Sequence, residues 1–92
     1  MDRLITVGFE FCEKIYQSII RVKVKKGFNE YKITIMNGDL EKLLYGNHVI
    51  KEINGFLQIE IIEHTSQELL KLKIGEALSK LIGIPLNSKL SY

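Results

Sequence analysis

The sequence holds one cysteine, one proline, one alanine and no tryptophan. A lone Cys12 excludes an intrachain disulfide and any Cys-pair metal motif. A reducing compartment is its simplest setting. Histidine and aspartate are also scarce, with only His48, His64, Asp2 and Asp39. Acid–base and metal chemistry need such groups brought together, and no spacing here matches a ligand or catalytic pattern. Gly-x-Gly-x-x-Gly, Walker-type and Gly-x-Ser-x-Gly motifs are missing. The sequence therefore predicts no enzyme, no cofactor and no metal site. No apolar run approaches the ~18 residues of a membrane span. The first apolar run is broken by Gly8 and Glu10, unlike a signal peptide. The expectation is a cytoplasmic protein with no membrane partner.

What the chain does have is apolar content, at 46% of 92 residues, which argues against disorder. The length suits one domain, residues 1–92, with a modest core. The formal net charge is only +2, and lysine far outnumbers arginine throughout. Net charge alone therefore points to no nucleic acid.

Periodicity predicts two hairpins, each followed by a helix. Over residues 16–26, Ile20, Val22 and Val24 alternate with Arg21, Lys23 and Lys25. Over residues 30–36, Tyr31, Ile33 and Ile35 share one side. A four-residue loop at 26–29 would pair Val24 with Tyr31 and Val22 with Ile33. Leu40, Leu43 and Leu44 then predict a two-turn helix ending near Gly46. Asn54-Gly55 between two β-rich runs predicts a type I′ turn, pairing Ile53 with Phe56 and Ile50 with Ile59. Thr65-Ser66-Gln67-Glu68 is a capping box opening a helix with Leu70, Ile74, Ala77, Leu78 and Leu81 on one stripe. Gly83 and Pro85 close it. Residues 1–14 fit strand and helix spacing alike, with β-branched and aromatic content favouring strand.

The predicted fold class is α+β in two layers. An antiparallel sheet of four or five strands carries the C-terminal helix on one face, and the short helix bridges the two hairpins. The second hairpin has an apolar second face as well: Val49, Ile53, Phe56 and Ile62. A two-layer fold covers one face only. The first functional expectation is thus a non-enzymatic interaction or assembly module that self-associates, as a homodimer, or meets a protein partner there. Folding of residues 1–14 over the patch is its rival. The second expectation is a nucleic-acid-binding accessory protein. Arg21, Lys23, Lys25 and Lys32 share the outward face of the first hairpin, where they can contact phosphates, and Phe28 in the loop can stack or wedge. His48 is expected half-buried opposite Ile61, His64 exposed before the capping box, and Cys12 a small buried hydrophobe.

Overall fold

Ile5, Val7, Phe9 and Phe11 turn to one side of an extended strand, and this settles the N-terminal ambiguity. A computed structural model describes the backbone of residues 3–90 and the side chains of residues 3–87. Strand β1 (Arg3–Phe11) pairs antiparallel with β2 (Lys14–Lys25). Cys12 and Glu13 form the tight turn between them, both left-handed at φ 51° and 66°. Cys12 is therefore exposed at a hairpin tip, which corrects the expectation of a buried thiol.

Strand β3 (Phe28–Ile35) follows a two-residue turn at Lys26 and Gly27. The four-residue loop is overturned: Val22 pairs with Tyr31, and Ile20 with Ile33. Gly27, at φ 88°, makes the shorter turn accessible. Helix α1 (Gly38–Leu43) starts where the Asn37 side chain accepts from the Leu40 N–H at 3.1 Å. Strands β4 (Val49–Ile53) and β5 (Phe56–Ile61) enclose Asn54 and Gly55, at φ 53° and 83°, as a type I′ turn demands. Ile53 pairs with Phe56 as expected, but the ladder ends at Lys51 and Gln58, short of Ile50 and Ile59.

Helix α2 (Ser66–Ile82) carries the capping box at Thr65 and Glu68 and closes on Gly83 at φ 73°. Strand β6 (Leu86–Leu90) then pairs parallel with β5. The sheet thus has six strands in chain order and is mixed, where four or five antiparallel strands were expected. A parallel neighbour requires a long crossover, and α2 supplies it.

Helix α2 touches β1 as well as β5 and β6. Strands that far apart in the order can reach one helix only if the sheet curls around it. The concave side is the core. Val7, Ile20, Ile33, Ile50, Leu57 and Ile61 meet Leu70, Ile74 and Leu78 there, all essentially without solvent contact. Each such side chain stabilises the fold by roughly 1.5–3 kcal/mol relative to exposure. Leu81, expected on the same stripe, is 57% exposed.

The start of α2 gives a pH prediction. The Glu68 carboxylate accepts N–H donors from Ile62 at 2.8 Å, Glu63 at 3.0 Å and Thr65 at 3.1 Å. These bonds favour the charged form, the Ile62 bond most, and hold its pKa below the ordinary 4.5. A depressed folded-state pKa adds stability that is present above 4.5 and lost as pH falls through the folded value. In urea denaturation, Glu68→Gln should unfold earlier than the parent at neutral pH. The two midpoints should converge as pH falls below 4.5 and through the lowered folded-state value. A gap that stays constant with pH would show that the carboxylate's charge is irrelevant.

Candidate interaction face

The convex face of the sheet is built by strand alternation. Residues at odd positions of β2 point away from α2, so Arg21, Lys23 and Lys25 line up outward. Register then places Arg21 opposite Lys32, Lys23 opposite Glu30, and Lys25 opposite Phe28. On the next strand Lys51 lies opposite Glu30, and beyond it stands Gln58. Glu30 is thus hemmed by cations. Its carboxylate lies 3.9 Å from the Lys25 ammonium. Arg21 and Lys32 face each other with no ion pair to either among the described residues. Like charges directly opposite destabilise a sheet slightly. The uncompensated charge here is positive.

Aromatic groups sit beside these cations. Ile53 pairs with Phe56, and β3 brings Phe28 alongside β4 at the same end of the sheet. The Lys51 ammonium lies 5.4 Å from the centre of the Phe28 ring, a cation–π contact. Ile53 and Phe56 are 39% and 45% exposed, and Phe28 is half-buried. The result is an apolar ridge, Phe28–Ile53–Phe56, edged by Lys25 and Lys51.

Of the four apolar residues of the second hairpin, Val49, Ile53 and Phe56 share the convex face and Ile62 stands apart. Val49, half-buried, is separated from Ile53 by Lys51 along β4. Ile62 lies past the end of β5, 53% exposed and roughly 20 Å along the strand from Phe56 at ~3.3 Å per residue. Residues 3–11 do not fold over this face, because β1 joins the sheet on the far side of β2. Lys51 was missed as a site residue. Its outward direction follows from the Asn-Gly turn, but its place beside Glu30 and Phe28 depends on β3 meeting β4, which no local signal gives.

The remaining chemistry-bearing residues have structural work. His48 precedes β4, and its carbonyl accepts from the Ile33 N–H at 2.8 Å. Its Nε2 is 3.2 Å from the Glu41 carboxylate, so it faces α1 rather than Ile61. The Glu41 carboxylate also accepts from the Ile35 N–H. His64 is exposed in the turn before α2 at φ 58°. Buried Tyr31 donates its hydroxyl to Glu52 at 2.5 Å. Burial, then the Glu52 bond, push that phenol up to about 12. No group of three His, Cys, Asp or Glu able to hold a metal occurs among the described residues. No helix there is long and apolar enough to cross a membrane. Comparison with family models, curated proteins and solved structures gives no match.

Proposed function

We propose that the protein binds single-stranded nucleic acid on the convex face of its sheet. The observation that carries this reading is the adjacency of the Phe28–Ile53–Phe56 ridge to Lys23, Lys25 and Lys51. Exposed rings on a sheet offer surfaces on which unpaired bases stack, and flanking cations neutralise phosphates. Bases in a duplex are not open to such stacking, so the single strand is the matching form. The test is anisotropy of labelled mixed-sequence DNA and RNA oligonucleotides across a salt series. Replacing Lys23, Lys25 and Lys51 together with Gln should flatten log affinity against log salt by about 2, at ~0.7 per phosphate contact. Absence of binding to every oligonucleotide at low salt would end the proposal.

Self-association is the second reading, supported by the exposure of Ile53 and Phe56. A two-fold contact through that ridge brings the basic rims of both copies together. Like charges oppose this, and for that reason the anionic partner takes precedence. Sedimentation decides the matter directly. A monomer mass up to about 100 μM would remove the dimer, and a dimer lost in Phe56→Lys would establish it.

A further inference from the structure

The β4–β5 ladder ends early, and the gap it leaves has the makings of a ligand site. Leu57 donates its N–H to the Pro85 carbonyl, so its backbone groups point toward β6. Those of Gln58 and Glu60 therefore point at β4 or lie in line with doing so. Just before β4, the His48 carbonyl accepts from β3, so Val49 points its N–H and C=O at β5. Past Ile50 and Ile59, Val49 and Glu60 are the next pair in register whose backbone groups would face each other, yet they lie outside the ladder. Their backbone groups face the gap.

The gap opens into a surface cleft of about 320 Å³, within the range of small-molecule sites. Its apolar walls are Val49, Ile53 and Ile59; Lys51, Gln58 and Glu60 line it as well, and Lys71 reaches it from α2, so two ammonium groups face one carboxylate. The Lys71 ammonium donates to the Asn47 side-chain oxygen at 2.6 Å. It takes part in no ion pair among the described residues. An ammonium has three donors, and one such bond leaves two. Lys71 is half-buried, and loss of water around it lowers its pKa from the ordinary lysine value. A half-buried cation without a counter-charge is costly unless something pairs with it.

We propose that the gap between β4 and β5 binds a small organic carboxylate. Its carboxylate meets Lys71 and the inward-facing backbone N–H groups, and its apolar substituent lies against Val49, Ile53 and Ile59. A charge-assisted bond to an ammonium is stronger than a neutral one and fixes orientation. Apolar walls of this size suit a short aliphatic or single-ring substituent. Ile53 and Lys51 border both the cleft and the ridge, but Lys71, Val49 and Glu60, on which the test is read, belong to the cleft and not to the ridge.

Butyrate serves as the probe, with butylamine as the control that keeps the tail and reverses the charge. In an amide NMR titration of the whole chain to about 20 mM, butyrate should shift Val49 and Glu60 saturably. Butylamine should not. Lys71→Met should weaken butyrate binding at least about tenfold. Val49→Phe, which fills the cleft and retains Lys71, should do the same and covers the case in which Lys71→Met fails to fold. Equal shifts with butylamine, no saturable shift at Val49 and Glu60, or unchanged butyrate binding in a folded variant would overturn the proposal. Its failure leaves the oligonucleotide result untouched, and the reverse holds.

Discussion

Gly75→Leu should lower stability by about 3 kcal/mol, at the upper end of the cost of overpacking a filled core. Gly75 lies in the middle of α2, where glycine costs about 1 kcal/mol relative to alanine. Propensity alone would make any replacement favourable. The packing says otherwise. A Cβ on Gly75 would stand 2.3 Å from the Ile59 terminal methyl, 3.5 Å from Leu86 and 3.6 Å from Ile50. The first distance is far inside van der Waals contact, and Ile59 and Ile50 are themselves buried. Alanine can be met by turning the Ile59 terminal methyl aside about the side chain's Cβ–Cγ1 bond, so Gly75→Ala should forfeit most of its helical gain and change stability little. Leucine has no such outlet. Its extra atoms must displace Ile50 or lift α2 from β5. At ~4–8 °C per kcal/mol for a domain of this size, the melting temperature should fall by about 12–24 °C. A melting temperature that rises for both variants would mean that α2 does not sit against the sheet at this point.

The elements legible in the sequence are those specified by chemistry within a few residues. Thr65 and Glu68 cap each other across one turn, and Asn54-Gly55 dictates a turn whose two φ values only a few residue types accept. The core stripe of α2 at Leu70, Ile74 and Leu78 follows from helical spacing. The β2–β3 register was not legible for a definite reason. Sliding a strand by two residues keeps every side chain on its own face, so alternation cannot tell Val22–Tyr31 from Val24–Tyr31. Turn length decides, and Lys26-Gly27 is a weaker turn signal than Asn54-Gly55. The consequence is visible at Val24, which runs past the core and is 82% exposed.

Strand β6 was hidden by Pro85. That proline marks the end of α2, but it also leads straight into five residues that pair with β5. Length and alternation give little in so short a strand. The signal is topological: a helix of 17 residues following β5 can carry the chain back for a parallel partner. The candidate face shares this difficulty. Arg21, Lys23, Lys25 and Lys32 are readable because one hairpin holds them all. Phe28, Lys51 and Phe56 come from three strands, and their adjacency exists only once β3 lies beside β4.

That adjacency leads to the strongest functional prediction. In the nucleic-acid reading, Phe28 and Phe56 each take a base. Truncating one stacking ring costs roughly 1–3 kcal/mol per base. Phe28→Ala with Phe56→Ala should therefore weaken oligonucleotide binding by about 30-fold to 10⁴-fold. Part of the Phe28 loss is the cation–π contact that holds the Lys51 ammonium over its ring. Both rings lie on the convex face, away from the Leu70–Ile74–Leu78 core, so the fold should survive their removal. The salt dependence should survive as well, because neither ring carries charge and the phosphate contacts remain. This separates the double ring variant from the triple lysine variant: one lowers affinity at every salt concentration, the other changes the slope. Phe28→Leu with Phe56→Leu gives the decisive comparison. Leucine keeps the apolar area but offers no ring face. If the leucine variant binds as tightly as the parent, bases do not stack here, and the ridge is a hydrophobic contact for a protein surface instead. If it binds as weakly as the alanine variant, stacking on the two rings is the source of the affinity.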